Sequence, residues 1–239
     1  MGTIIYKSED RGHADHGWLK ANHSFSFAGY YDPHKIHFGV LRVLNDDTVA
    51  AGMGFGMHPH DNMEIITIPF FGTLAHKDNM GNSGTIGFGE IQVMSAGSGI
   101  THSEFNHSRD EEVSLFQIWL FPNKKNVTPR YDQISYDKEK LHNEWQQIIS
   151  PNPTDAGSWI HQDAWFHLGK FEAGATTEYI IRKKGNGIYL MVIEGEISID
   201  EHILSHRDAI GITNTDSIHI HVKKPSFLLI MDIPMQIES

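Results

Sequence analysis

The sequence predicts an all-β protein made of two similar halves, each a β-barrel or sandwich. Three observations carry this. Short apolar and aromatic runs recur from Phe38 to Phe121 and again from Trp165 to Met235. Gly and Asn/Asp clusters separate them, which is the pattern of short strands joined by turns. The two halves also align with one another as an internal repeat.

In the first half, Ile4–Tyr6 reads as a short strand, and the alternation His23-Ser24-Phe25-Ser26-Phe27 reads as another. Strands are expected over Gly39–Leu44, Met63–Ile68, Gly72–His76, Glu90–Met94 and Val113–Phe121. Turns are expected at Asn45-Asp46-Asp47, Asp78–Gly84 and Gly97–Gly99. Asp137–Ile149 is the best helix candidate, with Leu141, Trp145, Ile148 and Ile149 on one face and Pro151 and Pro153 to stop it. In the second half, strands are expected over His167–Glu172, Thr177–Arg182, Ile188–Glu194, Glu196–Asp200, Asp208–Ile212, Ile218–Val222 and Phe227–Asp232. The expected organisation is a metal-binding domain over 1–122, a linker with a short helix over 123–164, and a degenerate domain without metal over 165–239.

Composition narrows the function. The chain has 239 residues, a net charge of −11 with histidines neutral, 17 histidines and no cysteine. A chain this negative repels a phosphate backbone, so direct nucleic-acid binding is not expected. Without cysteine there are no disulfides, thiolate zinc sites or thiol nucleophiles. The start, MGTIIYKSEDRGHADHGW, has no apolar core of signal-peptide length. No stretch reaches the length of a membrane span, so a cytoplasmic protein is expected.

The chemistry concentrates in His58-Pro59-His60 and His102-Ser103-Glu104. Residues i and i+2 on a strand share a face, so each pair can grip one ion, and two neighbouring strands can close the site. Three imidazoles and a carboxylate suit Fe(II), Mn(II), Ni(II), Cu(II) or Zn(II). A six-coordinate ion held by four side chains keeps two positions for exogenous ligands, as an oxygenase needs. Glu64 is expected to face the same pocket, to hydrogen-bond a ligand imidazole, or to form a salt bridge on its strand. His76 and His107 are weaker pocket candidates. His13, His16 and His34 read as loop and surface residues, with His23 the exception because it adjoins two aromatic residues.

The repeat suggests a single metal. Setting Phe71–Leu74 against Glu194–Ile197 puts His58 opposite Ile181 and His60 opposite Lys183. Setting Glu90–Val93 against Asp208–Gly211 puts His102 opposite Ile220 and Glu104 opposite Val222. Phe116–Phe121 then resembles Leu228–Ile233. Such a second copy has lost its ligands, and His219 and His221 are expected to face away.

The stretches His58-Pro59-His60-Asp61-Asn62-Met63-Glu64-Ile65, Gly72–Asp78 and Met94–Glu104 resemble the signature of the pirin family, within the cupin superfamily. Arg11-Gly12, Asp15–Leu19 and His23–Phe27 resemble its bacterial branch. The similarity covers at least residues 1–122 and is looser beyond. The general cupin pattern is present with departures. Gly72 arrives one residue late, Gly97 lies too far before His102, and Ser95 replaces a proline. Pirins resemble this chain in taking their carboxylate from His-x-Glu.

The resemblance implies a bicupin, two β-barrel or sandwich domains of the double-stranded β-helix type. It implies His58, His60, His102 and Glu104 as ligands of one divalent transition metal in the N-terminal domain, Fe(II) first, with Zn, Mn, Ni, Cu or Co as alternatives. The implied activity is that of a quercetin 2,3-dioxygenase, which opens a flavonol with O2. Glu104 would stay a ligand or act as general base. The alternative is a non-enzymatic, iron-binding regulator working through a protein partner. One chain supplies both halves, so a monomer is expected.

Overall fold

A computed structural model of the chain describes residues 2–237. Twelve strands precede residue 136: β1 (Gly2–Tyr6), β2 (Gly12–Asp15), β3 (Leu19–His23), β4 (Leu41–Val49), β5 (Gly54–His60), β6 (Glu64–Phe71), β7 (Thr73–Asp78), β8 (Ser83–Gly87), β9 (Glu90–Ser95), β10 (Ile100–Asn106), β11 (Val113–Leu120) and β12 (Arg130–Ser135). Eight follow: β13 (Gln146–Ser150), β14 (Ser158–Trp159), β15 (Trp165–Phe171), β16 (Thr176–Ile180), β17 (Asn186–Ile199), β18 (His202–Ser205), β19 (Ala209–Thr213) and β20 (Ser217–Pro234).

In the first barrel a four-stranded sheet, β5-β10-β7-β8, faces a seven-stranded sheet, β12-β9-β6-β11-β4-β3-β2. In the second, β1-β19-β17-β20-β15-β13-β14 form the backbone of a nine-stranded sheet, with β16 on β20 and β18 on β17. The two large sheets pack face to face. Alternate residues of each strand decide the outcome. Ile66 and Ile68 of β6 and Phe116 and Ile118 of β11 meet Tyr189 and Met191 of β17 and Leu229 and Met231 of β20 in one buried cluster. The intervening residues of β17 and β20, among them Ile188, Leu190, Ile220 and Ile230, fill the second barrel. Over 186–193 of β17 and 226–233 of β20 both faces are buried, so these stretches are nearly continuous apolar runs.

The pairing does not follow the sequence halves. β1 pairs with β19 of the second sheet, Ile4 opposite Gly211. It is pinned there by a 2.7 Å ion pair between Lys7 and Asp208. β12, from the stretch expected to be a linker, pairs instead with β9 of the first sheet.

The helix expected over Asp137–Ile149 is not formed. A 3-10 turn spans Glu139–Leu141, and Gln146–Ser150 is strand β13, paired to β15. Asn143 has φ 55°, which a right-handed helix cannot accommodate. Leu141, Ile148 and Ile149 are buried as their apolar pattern requires, Leu141 from the 3-10 turn and the two isoleucines from strand β13. A 13-residue helix is marginal without tertiary support.

The strand expected over His23–Phe27 ends at His23. Ser26 is taken up by a loop instead, its hydroxyl donating to the Asp32 carbonyl at 2.9 Å and accepting from the Asp32 amide at 2.8 Å. The turn expected at Asn45-Asp46-Asp47 lies inside β4, which pairs with β11 along its length and with β3 from Asn45 to Val49.

The internal repeat expected from the sequence is out of register. Ile220 lies across from Thr177, four residues before Ile181, whereas His102 lies across from His58. Phe116 faces the inter-barrel core while Leu228 faces the second barrel, so that strand is matched one residue out.

Candidate metal centre

β10 is the axis of the site. Its alternating burial turns His102 and Glu104 inward and leaves Ser103 and Phe105 at the outer face. β5 lies on one side of it, with His58 directly opposite His102 and His60 opposite Ile100. β5 is an edge strand, the place where a proline such as Pro59 costs no ladder bond. The register shifts between His102 and Glu104, where β5 carries an extra residue. Gly54 permits the close approach there: a Cβ at this position would come 2.2 Å from the Glu104 carbonyl oxygen.

The three imidazoles converge. Ring centroids are 4.8 Å apart for His58 and His60, 4.4 Å for His58 and His102, and 4.9 Å for His60 and His102. Their ring nitrogens form one group of candidate ligand atoms lying within 4.8 Å of one another. His58 Nδ1–H donates to the Gly56 carbonyl at 2.8 Å. A carbonyl can only accept, so this bond fixes the tautomer and leaves the Nε2 lone pair free for an ion. Burial, reinforced by the neighbouring rings, pushes His102 down to about 2. Burial and the adjacent His58 push His60 down to about 4. Both are therefore neutral bases at pH 7. Both ring nitrogens of His102 are buried without a hydrogen-bond partner, and a bound cation would satisfy the one that carries the lone pair. The donor set fits a divalent transition metal.

Glu104 is buried, and its carboxylate accepts from Gln117 Nε2 at 3.1 and 3.3 Å and from Thr67 Oγ1 at 3.5 Å. Burial raises its pKa to about 7 against those bonds. His76 of β7 lies across β10 from Glu104. Its Nε2–H points to Asp78 Oδ2 at 3.5 Å, and its buried Nδ1 has no partner. His76, His102 and Glu104 form a second group of close candidate ligand atoms behind the first.

The rings form one wall of a cavity of about 430 Å³, within the range of small-molecule sites. Trp18, Phe27, Phe55, Ile65 and Trp119 supply its apolar surface, and Asn45, Asp47 and Gln117 its polar points. Trp119 stands edge-on to His60 at 4.8 Å.

Residues 6–120 match the family model Pirin, and residues 147–233 match the model described as Quercetinase C-terminal cupin domain. The chain is 40% identical over 233 residues to the quercetin 2,3-dioxygenase of Escherichia coli (strain K12), covering 97% of this chain and 99% of the relative. The chain belongs to the pirin family. This pirin is also 40% identical over 222 residues to a pirin-like protein of Caulobacter vibrioides, covering 92% of this chain and 95% of that one. The crystal structure of the bacterial pirin YhhW of Escherichia coli in complex with nickel(II) superposes with a TM-score of 0.92 at 38% identity, covering 98% of this chain and 99% of that one. The fold is thus a bicupin.

The structure of this pirin also sorts the remaining candidates. Glu64 does not reach the imidazoles. It shares the even-numbered face of β6 with Ile66, accepts from Ser95 Oγ at 2.7 Å, and is tied to the His161 backbone. Ile65 and Thr67, one residue to either side of that face, point to the site. His107, His13, His16 and His34 are exposed. His23 is buried, its Nδ1–H donating to Asn45 Oδ1 at 2.8 Å. In the second barrel Ile220 and Val222 point into the apolar core, and His219 and His221 are exposed. Asn45 and Asp47 escaped the sequence reading because consecutive Asn and Asp signal a turn. The absence of Gly or Pro between Leu41 and Val49 was the available counter-signal. Gln117 and Thr67 carry no sequence signal beyond a polar residue in an apolar strand.

Proposed function

We propose that this pirin is a metal-dependent dioxygenase that opens flavonols such as quercetin with O2. The observation that carries this is the convergence of His58, His60 and His102 in the wall of an aromatic-lined cavity, with Glu104 beside them. The names of the relatives support the substrate class. We assign His58, His60, His102 and Glu104 as ligands of one divalent transition metal, Fe(II) in the first place, while the nickel(II) complex of the Escherichia coli pirin supports a site open to other ions. Such an ion supplies a Lewis-acid centre with positions left for exogenous ligands.

The chain's own residues do the rest. Trp18, Phe27, Phe55 and Trp119 bind a flat aromatic ligand and exclude water from it. Glu104 is the group that takes the proton of the flavonol 3-hydroxyl. Gln117 and Thr67 hold its carboxylate in place.

The test is incubation of the iron-loaded protein with quercetin in air and under nitrogen, following flavonol absorbance and carbon monoxide. Oxygen-dependent loss that disappears in His58→Ala is expected. No oxygen-dependent loss, or equal loss in the variant, overturns the proposal and returns the non-enzymatic regulator as the better account.

A further inference from the structure

Asp46 and Asp47 are adjacent on β4 and face opposite ways. Asp46 turns to the inter-barrel side, where Arg207 Nε lies at 3.0 Å and Arg11 Nη1 at 3.5 Å. Asp47 lines the metal-side cavity. It is 5% exposed, and its Oδ1 is buried without a hydrogen-bond partner. The neighbouring polar group on the same face, Asn45, is already engaged by His23. Trp18, Phe55, Ile65 and Trp119 give the same cavity its apolar wall.

A carboxyl in such a wall works against folding. Taking it out of water without a donor leaves a desolvation cost that a Leu or Val would not incur. Burial, with the charges of Asp46 and Glu104, pushes its pKa up to about 8. Residues that break packing rules in a cavity wall are expected where the missing partner is a ligand.

We propose that Asp47 is the cavity's recognition group for a hydroxyl of the bound aromatic molecule, accepting its hydrogen bond through its carboxyl group. Whether ionised or protonated, the carboxyl keeps an oxygen able to accept. β4 belongs to the seven-stranded sheet and the imidazoles to the four-stranded one, so a flat ligand lies between them. It presents one hydroxyl toward the imidazole side and a second toward Asp47. The substrate class is therefore a polyhydroxylated flavonol and not one with the 3-hydroxyl alone. This rests on the flavonol reading above.

The experiment compares quercetin with 3-hydroxyflavone, which shares the ring core and the 3-hydroxyl and lacks the other hydroxyls. Binding to the nickel-loaded protein is followed under nitrogen by quenching of tryptophan fluorescence. Wild type is expected to prefer quercetin by about tenfold or more, the size of a hydrogen bond to a buried carboxyl. Asp47→Leu is expected to lose that preference through weaker quercetin binding, with 3-hydroxyflavone unchanged within about twofold. Asp47→Asn keeps an acceptor oxygen and regains part of the preference. It also provides the comparison if the leucine variant does not fold. Retention of the wild-type ratio in Asp47→Leu, or absence of any preference in wild type, overturns the assignment of Asp47 alone. Failure of both flavonols to bind wild type overturns the flavonol reading, and the assignment with it.

Discussion

His58 and His102 stand directly opposite each other on antiparallel strands β5 and β10, with ring centroids 4.4 Å apart. Neither has a protein partner for the lone pair that would coordinate an ion. The His58 Nδ1–H is tied to Gly56, and both His102 nitrogens are unsatisfied.

Metal removal should therefore lower stability. A ligand present at a hundred times its Kd stabilises the folded state by about 2.7 kcal/mol. Thermal melts of the nickel-loaded and chelator-treated protein should differ in Tm, and His102→Ala should abolish that difference. An undiminished difference in the variant would place the ion elsewhere.

Acid should destabilise the protein through His167. This imidazole is buried, Tyr179 Oη lies 3.2 Å from its Nδ1, and burial with the nearby Arg182 pushes it down to about 3. Its ordinary value is 6.5, so between pH 6.5 and 3 the unfolded chain binds more protons than the folded one. Stability falls as pH drops through that window, by up to about 1.4 kcal/mol per pH unit for one proton. Urea melts at pH 7.5 and 5 should show this, and His167→Gln should flatten the dependence.

Glu64 acts with the opposite sign. Burial raises it from 4.5 to about 7, against the hydrogen bonds to Ser95 and the His161 backbone. The folded state thus holds a proton that the unfolded state has released. The stabilisation is complete below pH 4.5 and is lost as pH rises through 7. Glu64→Gln should remove this alkaline loss, seen as a smaller fall in urea midpoint between pH 5 and 8.

The inter-barrel core should make the two halves unfold together. Phe116 is fully buried in it, and Phe70 meets its ring edge-on at 4.6 Å. Phe116→Ala should cost about 3–5 kcal/mol. Calorimetry should show one shifted transition, where independent halves would show two.

The site was more legible in the sequence than the fold around it. His58/His60 and His102/Glu104 are read from spacing because side-chain direction in a strand repeats every two residues whatever the strand pairs with. The family was legible in the same motifs. Glu64 defied the same rule only in appearance: it is four residues from His60, but β5 ends at His60 and β6 begins at Glu64, so the alternation does not carry across the break.

What the sequence by itself determined is therefore local: many short strands, and two inward-facing pairs of candidate ligands. The tertiary structure decided what depends on partners distant in the chain. It placed β1 in the second sheet and β12 in the first, made a strand of Gln146–Ser150, and kept Asn45-Asp46-Asp47 extended inside β4. Local propensities differ by a fraction of a kcal/mol per residue, so ladder bonds and burial gained from a neighbouring strand outweigh them. That same context separates Asp46, paired with two arginines, from Asp47, left for a ligand.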